Sequence, residues 1–281
     1  MTPAHVMPAS LAWRTLGTAR RGAERLQLAP QVPGYRVLRE IGTGRRSSAW
    51  LANDECGSQV VLKLQPADGS MLHREWEVAA PLRGDHVLRV LDHGRAGAWA
   101  YLVTEYAPGG TLAGRMRAGL AADEALDLAR QAARGLATLH AAGYVHRDVK
   151  PANFLLRADG TLVLADFGLV VRSGHAGAGL GEGTITGTPR YVAPEQLQGA
   201  PAAPAADVYS LGVLLHEMLC GRPPFTGETL MEVLSQHLVA TAPRLPAHLA
   251  ALQDAVDRML EKDVQIRLPD AESVLGLLGQ R

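Results

Sequence analysis

From Tyr35 onward the chain alternates short apolar runs with turns. After Pro108-Gly109-Gly110 it shifts to long stretches whose apolar residues recur at helical spacing. This change of period constrains the fold more than any other feature: period two serves one face of a strand, and period 3.6 serves one face of a helix. Tyr35–Ile41, Ala49–Ala52 and Val60–Leu64 read as three strands of an antiparallel meander, joined by turns at Gly42–Ser47 and Asn53–Gly57. Helical spacing over Leu72–Leu82 precedes two more strands, Val87–Leu91 and Trp99–Glu105. Ala122–Ala142 reads as a long helix, and further helices are expected at Leu211–Leu219, Leu230–Leu238, Leu249–Leu260 and Ala271–Leu278. Strands first and helices afterwards predict an α+β chain: a small antiparallel β-sheet lobe with one helix, over 34–105, and a larger mainly helical lobe, over 110–281.

An apolar content of 47% in 281 residues is enough to fill such cores. The formal net charge of zero argues against a nucleic-acid-binding or polybasic membrane protein. No run approaches the roughly 18 apolar residues of a membrane span. Cys56 and Cys220 stand alone in sequence and suit two unpaired thiols in a reducing compartment. Residues 1–33 carry Arg14, Arg20, Arg21 and Arg25 against a single acid, Glu24. They are expected to form an N-terminal extension, either an arm packed on the domain or a leader, with the folded domain over 34–281.

Of the 28 basic residues, only Lys63, Lys150 and Lys262 are lysine. Two of these lie in chemically suggestive contexts, and Lys262 is expected to be a solvated residue near a helix end. Lys63 ends the apolar run Val60-Val61-Leu62, about twenty residues after the small-residue turn Gly42-Thr43-Gly44. Such a turn between strands lets backbone N–H groups approach phosphate oxygens. Lys150 lies in His146-Arg147-Asp148-Val149-Lys150-Pro151-Ala152-Asn153. There Asp148 could orient a hydroxyl and accept its proton, and Asn153 could offer an amide oxygen to a hard cation. Thirteen positions on, after the apolar strand Thr161–Ala165, Asp166-Phe167-Gly168 places a second carboxylate on a tight turn. Either loop alone would pass for an ordinary turn, but their joint, ordered occurrence would not.

With these motifs in order, the chain resembles the eukaryotic-like serine/threonine protein kinases over roughly Tyr35 to Leu278, and the composition suits a bacterial, cytoplasmic member. The resemblance implies the bilobal protein-kinase fold, with ATP and magnesium (Mg2+) as cofactors and protein Ser/Thr hydroxyls as acceptors. It implies that Ile41 and Thr43 help bind the nucleotide, with Gly42, Gly44 and Ser47 forming the glycine-rich loop and Lys63 on the phosphates, held by Glu75 or, if the helix is turned, Glu77. Thr104 would be the gatekeeper, with backbone groups of Glu105 and Ala107 on adenine. Ala49, Val61 and Leu155 would sandwich the adenine ring or serve simply as core. Asp148 would be the catalytic base, with Lys150 beside it and Asn153 and Asp166 on the metal. Gly187–Glu195 resembles the peptide-docking segment, with Thr188 bonding Asp148 and Lys150, and Glu195 pairing with Arg267. Asp207 would anchor the catalytic loop, or else cap its own helix.

Three features depart from the family pattern: Ser47 for the third loop glycine, Ala49 for the usual valine, and only twelve positions from Lys63 to Glu75. No reactive group is missing, so an active enzyme is expected rather than a nucleotide-binding pseudokinase scaffold. The docking segment argues against a small-molecule kinase. Thr111 and Ala152 stand where arginine-directed relatives carry acids, which implies weak arginine preference. Arg147 implies control by phosphorylation of the activation loop. Autophosphorylation is expected at Thr184 or Thr186, with a homodimer for the reaction in trans. Nothing in the 281 residues resembles a sensor or anchor, so signals are expected through another protein, the N-terminal arm or self-association.

Overall fold

The computed structural model describes residues 31–44, 47–67, 71–176 and 188–279. The N-terminal stretch before Gln31, and Thr184 and Thr186, lie outside them. The chain divides into two compact units. One holds the described residues up to Ala80 together with Arg89–Tyr106, and the other holds Pro81–Leu88 and the residues from Ala107 onward.

In the first unit β1 (Arg36–Thr43), β2 (Ser48–Asn53) and β3 (Gln59–Pro66) lead to helix α1 (Met71–Ala79), then β4 (Val90–Ala96) and β5 (Trp99–Glu105). The five strands form one antiparallel sheet in the order β1-β2-β3-β5-β4. Period two sorts its side chains. Trp50, Ala52, Val60, Leu62, Leu64 and Val103 share one buried cluster. Ala49, Val61, Lys63, Leu102 and Thr104 alternate with them, and the register pairs Ala49 with Lys63, Lys63 with Leu102 and Val61 with Thr104. Helix α1 packs Leu72 and Trp76 against Ala100, Leu102 and Val90, on the Lys63 side of the sheet. It ends at Ala79, short of the expected Leu82.

The strand expected at Val87–Leu91 is displaced. Strand β4 starts at Val90, while Val87 falls in the second unit and makes an isolated parallel bridge to Leu164 of that same unit. An apolar run of that length shows burial but not which neighbour it pairs with.

The second unit runs β6 (Gly110–Thr111), α2 (Leu112–Met116), α3 (Ala122–Ala141), β7 (Tyr144–Val145), β8 (Phe154–Leu156), β9 (Leu162–Leu164) and β10 (Val171–Arg172). There follow α4 (Pro194–Leu197), α5 (Pro204–Cys220), α6 (Leu230–Val239), α7 (Gln253–Met259) and α8 (Ala271–Gly279). Helix α3 carries Asp123 and Glu124 in its first turn, where the helix dipole favours acids. Helix α5 is buried on nearly all sides, as a helix apolar all round should be, and it stops at Gly221, whose φ of +70° few other residues would adopt. A side chain at Gly135 would meet the carbonyl oxygen of His86 at 2.5 Å, so glycine there lets α3 approach that segment. The helix expected at Leu249–Leu260 is a 3-10 stretch, Ala247–Leu252, running into α7.

Candidate active site

In the small unit, two separate sequence features meet on one face of the sheet. Because Lys63 and α1 share that face, the Lys63 ammonium reaches both carboxylate oxygens of Glu75, at 2.8 and 2.9 Å. Glu77 points the other way and pairs with His73 on the exposed side of the helix. The glycine turn is closed by Gly44 N–H donating to the Ser47 carbonyl at 2.7 Å. Gly42 and Thr43 pair with Ala49 and Ser48, and the half-buried Ile41 lies at a register shift between β1 and β2. Thr104 is buried opposite Val61 and donates its hydroxyl to the Glu105 carbonyl at 3.2 Å. The Glu105 amide is already engaged by the Arg89 carbonyl, and its carboxylate takes the Arg89 amide at 2.8 Å.

In the large unit, Ala107 and Leu155 pack with Leu88, Val163 and Ala165. Asp148 is buried, and three donors converge on its carboxylate. The Thr188 hydroxyl donates to Oδ1 at 3.0 Å. Lys150 Nζ and Asn153 Nδ2 both donate to Oδ2, the amide at 2.9 Å. Asn153 Nδ2 also donates to the Asp148 carbonyl at 2.8 Å. Both amide hydrogens are thereby used, which leaves Oδ1 of Asn153 as the oxygen it can offer. The expected Thr188–Lys150 bond is not formed, because the lysine turns to the carboxylate that Thr188 approaches from the other side. A narrow recess beside Asp148 is lined by Arg147, Val149, Thr188, Tyr191, Val192 and Ser210.

Two non-glycine residues among those described have positive φ: Arg147 at 66° and Asp166 at 62°. Each lies in one of the two sequence motifs, and such conformations cost about 1–3 kcal/mol unless the surroundings hold them. Asp207 holds the first, accepting the His146 amide at 2.7 Å and the Arg147 amide at 2.8 Å. It sits inside α5, whose N-cap is Ala203, so the cap alternative is excluded. Burial alone would raise the Asp207 carboxyl. The hydrogen bond from His140, with that from the His146 amide, outweighs this and brings it below the usual carboxylate range. His146 links the two motifs: Asp148 N–H approaches its Nδ1, its Nε2 lies 3.2 Å from the Ala165 carbonyl, and its ring meets Phe167 edge-on.

Arg267 and Glu195 form a buried bidentate pair at 2.5 and 2.9 Å, as the resemblance implies. Lys262, expected to be solvated, is not. Its ammonium donates to the Tyr209 hydroxyl at 2.7 Å and the His237 carbonyl at 2.8 Å, and lies 4.2 Å from the Phe225 ring. Burial first, then the charge of Arg267, lowers its pKa to about 8. Sequence reasoning missed this cluster because its partners come from α5, α6 and a distant loop. It also missed His140, at the end of α3, and the bond from Tyr191 to Glu217 at 2.5 Å. Burial, followed by the Glu217 charge, raises the Tyr191 phenol.

The sequence profile of the protein kinase domain matches residues 35–276. The serine/threonine-protein kinase drp72 of Corynebacterium efficiens is 34% identical over 86% of this chain and 49% of its own length. PknA of Corynebacterium glutamicum is 35% identical over 85% of this chain and 54% of its own. PknL of Mycobacterium tuberculosis is 36% identical over 80% and 59%. The fold and these matches define a protein kinase domain, and the chain belongs to the protein kinase family. It spans about half the length of the curated relatives it matches. Among the described residues, no helix is long and apolar enough to cross a membrane.

Proposed function

We propose that this chain transfers the γ-phosphoryl group of ATP to serine and threonine hydroxyls of proteins. What supports this most is the trio of donors on Asp148. A carboxylate offers about four acceptor positions. Lys150 and Asn153 occupy Oδ2 and Thr188 occupies one side of Oδ1, so the remaining position on Oδ1 is where an acceptor hydroxyl would dock. As the hydroxyl oxygen attacks the γ-phosphorus, its O–H bond breaks and the proton passes to Asp148. The new O–P bond forms, the bond to the β–γ bridging oxygen breaks, and ADP leaves.

Lys150, beside the carboxylate, offsets charge on the transferring group. Lys63, kept in place by Glu75, binds the α- and β-phosphates, with the backbone of Gly42–Ser47 over them. Ile41, Ala49, Val61 and Leu155 contact adenine, Thr104 sits behind it, and the Glu105 carbonyl and Ala107 amide bond its edge. The oxygen donors of Asn153 and Asp166 fit a magnesium ion, a hard cation that draws its other ligands from water and phosphate. When bound, that ion neutralises phosphate charge. Protein substrates lie along the segment Gly187–Glu195. Residues 1–33 form an extension ahead of a kinase domain over 34–281. Autophosphorylation at Thr184 or Thr186, in a homodimer, supplies a phosphate for Arg147.

The test is to incubate wild-type and Asp148→Asn protein with labelled ATP, magnesium and a generic protein substrate. Acid-stable label on serine or threonine should fall about 10²–10⁴-fold in the variant. Equal labelling of the two proteins, or none in the wild type despite ATP binding, would refute the reading; the latter is the pseudokinase outcome.

A further inference from the structure

Helix α1 carries Glu75 but has little of its own to fix it: it is nine residues long, with no acid in its first turn and no base in its last. An aromatic contact grips its flank. His73 and Trp76, three positions apart, project from the same side. His93 of β4 stacks with both: its ring centre lies 4.2 Å from that of Trp76 at 12°, and 5.5 Å from that of His73 at 24°. His73 is itself paired with Glu77, 3.5 Å away. A bulge in β4 aims His93 at the helix. Val90 pairs with Thr104, but Asp92 rather than Leu91 pairs with Val103, so Leu91 is an extra residue. Val90 packs on α1 with Leu72 and Trp76. In a regular strand Asp92 would share that face and His93 would point away. The bulge reverses this: His93 comes opposite Leu102, which faces α1, and Asp92 opposite Val103, on the other face. There Asp92 accepts the Tyr35 hydroxyl at 3.0 Å and the Tyr101 hydroxyl at 3.5 Å on one oxygen, and the His93 amide at 2.7 Å on the other. A side chain at Gly94 would meet the Tyr101 hydroxyl at 2.7 Å, so glycine there makes room for this cluster. The strand that carries His93 is thus held from the face opposite α1.

We propose that His93 is a positioning residue for phosphoryl transfer: stacked on Trp76 and His73, its imidazole fixes the rotation of α1 and so keeps Glu75, rather than Glu77, on Lys63. The proposal rests on the kinase reading for its effect on rate. Leu72, Glu75 and Ala79 are the buried positions of α1, and Trp76 and His73 follow round one flank. A turn of one position, about 100°, would carry both rings out of stacking range. It would also move the Glu75 carboxylate off the ammonium that it now meets through both oxygens, at 2.8 and 2.9 Å. Apolar burial of Leu72 resists lifting of the helix from the sheet but is non-directional. Stacking is directional, because the rings must stay parallel as well as close. His93 thereby sets the geometry of the phosphate-binding lysine without touching it.

The test uses the scarcity of lysine. Protein labelled with carbon-13 at its lysine side chains gives Cε signals from Lys63, Lys150 and Lys262 alone, and Lys63→Arg identifies the first. Glu75→Gln marks where the Lys63 signal lies without its partner. His93→Ala should move the Lys63 signal toward that mark while Lys150 and Lys262 stay in place. His93→Phe, which keeps a stacking ring, should leave Lys63 where the wild type has it. In steady-state transfer, kcat/KM for ATP should fall about tenfold in the alanine variant, with KM for the protein substrate unchanged, and should recover in the phenylalanine variant. In Glu75→Gln protein, adding His93→Ala should change little, because the two residues act in series. An unmoved Lys63 signal in His93→Ala would overturn the proposal. So would movement of all three lysine signals together, a phenylalanine variant no better than alanine, or an undiminished alanine effect in Glu75→Gln protein. The lysine spectrum decides the matter even if the wild type transfers no phosphate, which would overturn only the kinase reading.

Discussion

Acid should weaken this domain through one buried imidazole, His237. Lys262 has no lone pair, so the Tyr209 oxygen must accept from it, and the Tyr209 hydrogen is directed at His237 Nδ1, 3.0 Å away. Protonating Nδ1 would break that bond and place a second positive charge beside Lys262, within a site that Phe225 closes edge-on at 4.9 Å. Burial, then the Lys262 charge, accordingly lowers the His237 pKa from 6.5 to about 4. Between these values the unfolded chain binds a proton that the folded one refuses, so the contribution is complete above pH 6.5 and is lost as pH falls toward 4. One proton is worth about 1.4 kcal/mol per pH unit, so the full loss is about 3 kcal/mol. Urea unfolding of the wild type and His237→Phe, followed by tryptophan fluorescence at pH 4 to 8, isolates this effect, because the carboxylates cancel in the difference. The wild type should lose about 3 kcal/mol relative to the variant between pH 7 and 4. Parallel stability curves over that range would refute the assignment.

Two other perturbations act on the same region. Arg267→Met leaves the buried Glu195 carboxylate without its partner and should cost about 3–5 kcal/mol in urea unfolding, and adding Glu195→Met should recover part of that loss. Lys262→Arg keeps the charge yet should destabilise by about 1–3 kcal/mol in the same measurement, because a planar fork cannot serve the lysine's three partners.

The strands, the long helices and the ordered motifs were legible because each is written locally. Period two marks β1 to β3, and the two loops carry their reactive residues within eight positions of sequence. The Lys63–Glu75 pair was legible as a spacing, but that Glu75 rather than Glu77 turns inward depends on which side of α1 packs on Leu102. Val87–Leu91 misled because the run is buried by two different neighbours: Val87 bridges Leu164, while β4 begins at Val90. His140 and the Lys262 cluster were not legible as partners. Their contacts join α3 to α5 and α8, or a loop to α5 and α6, and sequence separation alone hides which polar groups meet in a shared interior.

The arginine bias of the chain makes its three lysines informative, and the structure extends that logic to the one the sequence reading set aside. Each ammonium sits where a compact charge must satisfy groups converging from different directions. Lys63 bridges the two oxygens of Glu75, and Lys150 tucks against Asp148 beside an amide. Lys262 serves a phenol, a helix-end carbonyl and an aromatic face at once. Five positions away, Arg267 has the opposite task. Its flat guanidinium meets the flat carboxylate of Glu195 in two parallel bonds, while its remaining hydrogens reach the carbonyls of Ala205, Glu261 and Lys262. Lys262 and Arg267 both lie over the Tyr209 ring, at 5.0 Å each. Tetrahedral donors meet a cone of acceptors and planar donors meet a plane, so the two cations are matched to their sites by shape as well as by charge.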